Sequence, residues 1–102
     1  MPEIQIVWTL RAEIGLAQIY SYLDELQSGA GDDFLREVDH VLELIRDFPH
    51  LGRVFETPVR RRILGKGRYG LFYSPEDRGI IVVGILDLRQ DPALIRRLLG
   101  LR

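Results

Sequence analysis

Three β-rich runs separated by short turns constrain the fold of this chain more than any other feature. The first run begins at Val59 and ends at the turn Gly65-Lys66-Gly67, the second ends in a turn from Ser74 to Gly79, and the third continues to Leu86. Glycine favours such turns because it adopts positive φ, and β-branched and aromatic residues fill the runs. The stretch from Val59 to Leu86 therefore predicts an antiparallel β-meander.

The first of these runs carries an unusual density of positive charge. Arg60, Arg61 and Arg62 are consecutive, so a strand must place at least one of them on each face. We expect one face of the sheet to pack on helices and the other to present Arg and Tyr side chains to an acidic partner. The basic residues and tyrosines of this cluster suit nucleic acid or an anionic protein surface; they are Arg60, Arg61, Arg62, Lys66, Arg68, Tyr69 and Tyr73.

Net charge is divided unequally along the chain. Residues 1–58 contain four arginines and eleven acidic residues, whereas residues 59–102 contain ten basic and four acidic residues. The two parts have net charges of −7 and +6, which together make the overall −1. The second part should therefore steer acidic partners toward itself.

The first half of the chain predicts a strand followed by a helical hairpin. Ile4 to Trp8 alternates as a strand, and Thr9 suits a helix N-cap. A first helix runs from Leu10 to about Gln27 and ends at Ser28-Gly29-Ala30-Gly31, and a second begins near Asp32 and stops at Pro49. The predicted apolar positions are Leu10, Ile14, Ala17, Tyr20 or Ser21, Leu23 and Leu26 in the first helix, and Phe34, Val38, Val41, Leu42, Ile45 and Phe48 in the second.

The remaining segments complete a single α+β domain over residues 1–102. Pro49 to Pro58 is predicted as a loop, and Asp91-Pro92 begins a short amphipathic C-terminal helix that carries Arg96, Arg97 and Arg102. The order is β-α-α-β-β-β with that last helix, and the αα-hairpin packs on an antiparallel or mixed sheet. The predicted core comprises Trp8, Leu23, Val38, Leu42, Ile45, Phe72 and Val83.

Several kinds of site are disfavoured by the residue types present. The chain has no Cys and two His, which removes disulfides and leaves His40 and His50 as poor candidates for a metal site or a catalytic triad. Gly65-Lys66-Gly67 lacks the spacing of a phosphate-binding P-loop. We therefore expect no metal, no cofactor and no small-molecule substrate. No apolar run approaches the roughly 20 residues of a membrane span, and no signal-peptide pattern opens the chain, so we expect a cytoplasmic protein.

Seven pieces of the sequence, taken in this order, resemble the RelE/ParE superfamily of type II toxin–antitoxin toxins, and its ParE-like side more closely. Nearly the whole chain takes part. The pieces are Val7-Trp8-Thr9; the helix with Ala12, Ile19, Tyr20 and Leu23; the helix from Phe34 to Phe48; Pro49-His50-Leu51-Gly52-Arg53; Arg61-Arg62-Ile63-Leu64; Arg68-Tyr69-Gly70-Leu71-Phe72-Tyr73; and Ile85-Leu86-Asp87-Leu88-Arg89-Gln90-Asp91-Pro92.

The resemblance implies a bacterial or plasmid-borne growth inhibitor that is neutralised by a small cognate antitoxin in a hetero-oligomer. ParE-like toxins of this superfamily act on DNA gyrase, whereas RelE-like toxins cut mRNA within the ribosome, often with an aromatic or His near the C-terminus. Residues 93–102 contain no aromatic and no His. We therefore expect an inhibitor that poisons gyrase by binding; the alternatives are a ribosome-dependent endoribonuclease and a non-toxic interaction module.

The resemblance also suggests which side chains meet the target. Arg60, Arg62, Arg68 and Arg89 match the sheet positions that would contact phosphate, and Tyr73 or Tyr69 would lie beside them. Asp87 stands where many relatives carry His. A carboxylate there could hold Arg89 or Arg62 through a charge-assisted hydrogen bond. The predicted target-binding residues are Arg60, Arg62, Arg68, Tyr73, Asp87 and Arg89.

Overall fold

A computed structural model describes residues 4–101, and Arg102, which the sequence placed in the C-terminal tail, lies outside them. The element order is β-α-α-β-β-β-β-α. The strands are β1 (Gln5–Trp8), β2 (Arg53–Glu56), β3 (Val59–Leu64), β4 (Tyr69–Glu76) and β5 (Gly79–Asp87). The helices are α1 (Leu10–Leu26), α2 (Ala30–Asp47) and α3 (Pro92–Leu98), and Gly65–Gly67 forms one 3-10 turn.

The five strands form one mixed sheet in the order β1-β5-β4-β3-β2. The meander β3-β4-β5 is antiparallel, and β1 pairs in parallel with β5 so that Trp8 lies opposite Val82. The predicted α+β class is thus confirmed. The prediction that all of Pro49 to Pro58 is loop is wrong, because Arg53–Glu56 pairs with β3 as an edge strand. Four residues between Gly52 and Thr57-Pro58 are too few to show a strand period in the sequence.

Local side chains fix the ends of the two long helices. Thr9 caps α1 as predicted, its hydroxyl accepting from the N–H of Ala12 at 3.1 Å. The Asp24 carboxylate accepts from the N–H groups of Gly29 and Gly31 at 3.0 and 3.2 Å. Gly29 has φ 91°, a left-handed conformation that suits glycine. It is the N-cap of α2, which begins at Ala30, two residues before the predicted start. These contacts close the αα-hairpin.

The sheet is covered on both faces, and the core therefore has two parts. The larger cluster lies between the sheet and α1 and α2, and it includes Leu71 and Tyr73 of β4. The smaller cluster lies under α3 and includes Phe72 and Ile95. Of the predicted core residues, Val38, Ile45 and Phe72 are buried, whereas Trp8, Leu23, Leu42 and Val83 are half-buried at the margins.

The buried face of α1 differs from the predicted one. Ala12 and Ile19 are the buried residues, while Leu10 is 71% exposed and Ile14 is 49% exposed. At Gly15 the helix lies so close to the sheet that an added Cβ would be 2.6 Å from the carbonyl oxygen of Ile85. A hydrophobic pattern gives little weight to alanine and glycine, although these are the residues that permit this close approach.

The stripe predicted for α2 largely forms. Phe34, Val38, Val41 and Ile45 are buried against the sheet, whereas Phe48 is 61% exposed. Phe48 follows the last helical residue and caps the helix with its backbone N–H, so its side chain is no longer on the buried face.

Candidate functional site

The arginines of β3 divide between the two faces of the sheet. Arg60 lies opposite Tyr73 and Arg62 lies opposite Leu71, and these partners belong to the cluster under α1 and α2. Arg61 lies opposite Phe72, which belongs to the cluster under α3. Directly opposed residues share a face. The expectation that Arg and Tyr together occupy the face away from the helices is therefore wrong, since only Arg61 of the three is there.

Arg60 and Tyr73 are engaged with the turn that follows α2. The hydroxyl of Tyr73 accepts from the N–H of Gly52 and donates to the carbonyl of Pro49, both at 2.8 Å. Nη1 of Arg60 donates to the carbonyls of His50 and Gly52 at 3.1 and 2.8 Å. Tyr73 is fully buried, and burial raises the pKa of its phenol. From these positions Arg60 and Tyr73 hold the turn in place.

A second group of predicted residues meets at the opposite end of the same strands. Register places Asp87 of β5 opposite Tyr69 of β4, so Arg68 comes beside Asp87. Nη2 of Arg89 lies 3.0 Å from Oδ2 of Asp87, and Nε of Arg68 lies 3.6 Å from the same oxygen. The expected contact of Asp87 with Arg89 is present, and its second cation is Arg68, which the sequence had not paired with it.

The charge state of this group is fixed by its arginines. The hydrogen bonds that Arg89 donates hold the pKa of the Asp87 carboxyl below its ordinary value, and the charge of Arg68 acts in the same direction. Asp87 is therefore ionised at neutral pH. The three side chains together carry a net charge of +1, on a surface where most of the nearby side chains are polar or aromatic.

Two tyrosines surround Arg68. Its guanidinium carbon lies 5.0 Å from the ring centroid of Tyr22 and 5.2 Å from that of Tyr69, within cation–π range. The cleft between α1 and the end of β5 has a volume of about 300 Å³. It is lined by Gln18, Ile19, Tyr22, Arg68, Tyr69, Asp87 and Arg89.

Tyr22 is an aromatic residue of this cleft that was not predicted from the sequence as a site residue. It lies on the exposed side of α1, with 44% of its surface accessible. Tyr22 lies outside the apolar stripe predicted for that helix, so the sequence indicates that its ring is exposed. An exposed aromatic ring is a common feature of binding surfaces and could have identified Tyr22 as a candidate.

The six predicted target-binding residues thus form two groups with Arg62 between them. Arg60 is five positions from Arg68 in strand register, which corresponds to roughly 17 Å at about 3.4 Å per residue. Arg62 is half-buried, and its Nε atom is buried without a hydrogen-bond partner among residues 4–101. Arg68, Asp87 and Arg89 are in direct contact, whereas Arg60 and Tyr73 form their own contacts at the other end.

A metal centre finds no support in this arrangement. Within the described part of the chain, no three residues of the types His, Asp or Glu are grouped as ligands. His40 and His50 are both exposed and lie on different elements. None of the helices in residues 4–101 is long and apolar enough to cross a membrane.

An exposed apolar ridge runs along α1 between two grooves. Leu10 and Ile14 are four residues apart, lie on one face of the helix and are both exposed. The groove toward β5 and α3 has a volume of about 600 Å³, and the groove toward Trp8 and α2 has a volume of about 520 Å³.

The chain matches known proteins both in sequence and in fold. The family model described as ParE toxin of type II toxin-antitoxin system, parDE, matches residues 6–92. Among solved structures, the fold is similar to a chain described as the chromosomal ParDE TA system from P. aeruginosa, with a TM-score of 0.70 and 15% sequence identity. The similarity covers 83% of this chain and 96% of that chain. No curated protein matches the sequence.

Proposed function

We propose, because this chain belongs to the ParE toxin family of type II toxin–antitoxin systems, that it inhibits growth by poisoning DNA gyrase and that a cognate antitoxin neutralises it. The observation that carries the proposal is the family match, which covers residues 6–92 and so includes every element that bears a predicted site residue. Binding rather than bond cleavage is the mode of action.

The composition of the C-terminus favours an inhibitor over a nuclease. Residues 93–101 are aliphatic apart from one glycine, Arg96 and Arg97. Neither arginine can serve as a general base, because the guanidinium stays protonated at physiological pH. Arg96 also forms an ion pair with Glu56, which attaches α3 to the edge strand β2. In this protein α3 covers the smaller core cluster and supplies no acid–base group.

The positive charges suit a target that contains DNA. We assign the contacts with the target to Arg62, Arg68, Asp87 and Arg89, and a positioning role to Arg60 and Tyr73, which hold the turn from Pro49 to Gly52. Arginine binds phosphate through two parallel N–H donors and keeps its charge at any physiological pH. A gyrase complex with cleaved DNA offers both a protein surface and exposed phosphates.

The apolar ridge of α1 suits the antitoxin. Leu10 and Ile14 would be costly to leave in water permanently, and a ridge flanked by two grooves fits an amphipathic segment of a partner. We assign this surface to the antitoxin and the arginine surface to gyrase. The antitoxin and gyrase would then bind different surfaces of the toxin.

Induced expression tests the toxin activity, and purified protein tests the target. Expression without the antitoxin gene should stop growth, and co-expression should restore it. In a reaction with gyrase, ATP and supercoiled plasmid, the protein should increase the linear DNA that is released by detergent and protease. Arg68→Ala together with Arg89→Ala should reduce this product. Arg78→Ala is the matched control, because Arg78 is exposed in the turn at the other end of the same hairpin.

Other outcomes would assign the protein differently. New mRNA ends confined to translated regions, with gyrase unaffected, would identify a ribosome-dependent endoribonuclease. Normal growth on expression of a folded, antitoxin-free protein would identify an interaction module.

A further inference from the structure

Asp87 contacts two arginines, Arg89 through hydrogen bonds and Arg68 through an ion pair. Arg89 donates its backbone N–H to Oδ1 at 2.9 Å, its Nε to Oδ1 at 3.2 Å and its Nη2 to Oδ2 at 3.0 Å. Arg68 contributes only an ion pair, with its Nε 3.6 Å from Oδ2. Two guanidiniums provide ten N–H donors, far more than one carboxylate can accept.

Arg68 lines the cleft beside Tyr22. Nε of Arg68 is buried and lacks a hydrogen-bond partner among residues 4–101. Its guanidinium carbon lies within cation–π range of the rings of both Tyr22 and Tyr69. Because the buried Nε faces Asp87, the remaining guanidinium donors of Arg68 are the ones that an oxyanion entering the cleft would meet.

We propose that this cleft binds a phosphodiester of single-stranded nucleic acid, and that Asp87 holds the place of the phosphate in the free protein. Carboxylate and phosphate both present two oxygens to a planar guanidinium, so one can replace the other on the same donors. The exposed ring of Tyr22 lies beside the arginines and offers a surface on which an unpaired base can stack. A paired base within a duplex could not reach that ring.

The exchange is feasible because the contacts of Asp87 are accessible to water. The side chain of Arg89 is 66% exposed, and ion pairs in such positions are weak. Asp87 then lowers the affinity of the cleft for nucleic acid by keeping a negative charge beside the incoming phosphate. It also prevents Arg68 and Arg89 from repelling each other in the free protein. Because the nucleic acid is taken to be DNA opened by gyrase, the identity of the ligand rests on the proposed function.

Asp87→Asn tests the exchange, since the amide keeps the size of the side chain and removes its charge. The affinity of the purified protein for a labelled single-stranded oligonucleotide is measured by fluorescence anisotropy at several salt concentrations. The variant should bind about tenfold more tightly at low salt. The slope of log K against log salt should steepen by roughly 0.7 for each guanidinium that is released. Asp77→Asn, in the turn between β4 and β5, makes the same charge change elsewhere and should leave both quantities near wild type.

A variant that keeps Asp87 makes the outcome decisive even if Asp87→Asn does not fold. Tyr22→Leu in the otherwise native chain should weaken binding of the oligonucleotide about fivefold, the lower end of what stacking on one aromatic ring contributes. Adding Arg89→Ala to Asp87→Asn should remove the gain in affinity. Unchanged affinity in both Asp87→Asn and Tyr22→Leu would overturn the site. An Asp77→Asn variant that gains as much as Asp87→Asn would show a general charge effect and would also overturn it.

Binding by the isolated protein and poisoning of gyrase are separate readouts. If Asp87→Asn binds the oligonucleotide more tightly but neither it nor wild type affects gyrase, the cleft is a nucleic-acid site and gyrase as the target is refuted. Gyrase poisoning by wild type, with no change of oligonucleotide affinity in either variant, would refute the cleft alone. An Asp87→Asn variant that gains affinity for the antitoxin but none for the oligonucleotide would identify a carboxylate of the antitoxin as the anion and would refute nucleic acid.

Discussion

The hydroxyl of Tyr73 lies 2.8 Å from the amide nitrogen of Gly52 and accepts its hydrogen bond in the buried interior. The same hydroxyl donates to the carbonyl of Pro49, also at 2.8 Å, so one side chain satisfies two backbone groups of the turn. Gly52 is buried, and its N–H could not be hydrated there. The run from Pro49 to Gly52 therefore has a structural role: it connects the end of α2 to the middle of β4.

Tyr73→Phe should lower the free energy of unfolding by about 1–3 kcal/mol, because the buried N–H of Gly52 and the carbonyl of Pro49 lose their shared partner. Urea denaturation measures this change. Tyr20→Phe is the control, since the hydroxyl of Tyr20 donates to Asp32 at 2.9 Å on the exposed surface and its loss should have a smaller effect. Equal losses in the two variants would contradict the role given to Tyr73.

Gly52→Ala should destabilise the protein as well, for a steric reason. An added Cβ would lie 2.5 Å from Oη of Tyr73 and 2.7 Å from its Cε1. Removing the hydroxyl relieves part of that clash, so Gly52→Ala combined with Tyr73→Phe should destabilise less than the sum of the two single changes. A double-mutant cycle in urea measures the coupling. Strict additivity would show that the two residues do not interact.

Local periodicity was sufficient to predict the meander, the helical hairpin and the buried stripe of α2. It could not predict which face of β3 carries which arginine. Alternation separates Arg61 from Arg60 and Arg62, but β4 is buried on both faces, because α1 and α2 cover one and α3 covers the other. The sequence of β4 therefore contains no alternation that would distinguish the two sides.

The partner of Asp87 depended on a strand register that the sequence does not reveal. A bulge between Phe72 and Tyr73 shifts the pairing of β4 with β5, and beyond it Tyr69 lies opposite Asp87. Arg68 is next to Tyr69 and so contacts Asp87, whereas Arg62 is on the neighbouring strand. Arg89 was predictable as a partner of Asp87, since it is two residues away in the chain and its contacts are local.

Alkaline pH should reveal the buried phenol of Tyr73. Burial raises its pKa above the ordinary value of 10.0, so the unfolded chain releases this proton at a lower pH than the folded protein does. The stability that the neutral phenol contributes is complete below about pH 10 and is lost as the pH rises through the folded pKa. Urea unfolding should show a fall in stability above that pH, and the fall should be shallower in Tyr73→Phe. Tyr69, whose pKa burial also raises, and Tyr20, whose pKa is raised by its hydrogen bond to Asp32, contribute to the remaining slope. Identical slopes in both proteins would refute the assignment.

Gly15→Ala should push α1 away from the sheet. Its Cβ would lie 2.6 Å from the carbonyl oxygen of Ile85, a backbone atom that cannot move aside alone. We expect a loss of about 1–3 kcal/mol, although alanine favours helix over glycine by about 1 kcal/mol. Ala17→Gly on the exposed side of α1 is the control, and it should show only the loss of helix propensity. A Gly15→Ala protein that is more stable than wild type would show that the helix can shift without cost.

The exposed ridge of α1 should decide antitoxin binding. Ile14 is 49% exposed, so Ile14→Glu places a charge on the surface without burying it, and the folded state should be little affected. If the antitoxin packs on this ridge, the charge would be desolvated in the complex, and the dissociation constant measured by calorimetry should rise at least about tenfold.

Ile63→Glu is the matched control, because Ile63 is 46% exposed and lies on the opposite face of the sheet. Growth inhibition by Ile14→Glu in the presence of the antitoxin would give the same answer in cells, since a toxin that escapes neutralisation stops growth. If the antitoxin still binds Ile14→Glu but no longer binds Ile63→Glu, its binding surface lies on the face of the sheet that carries α3.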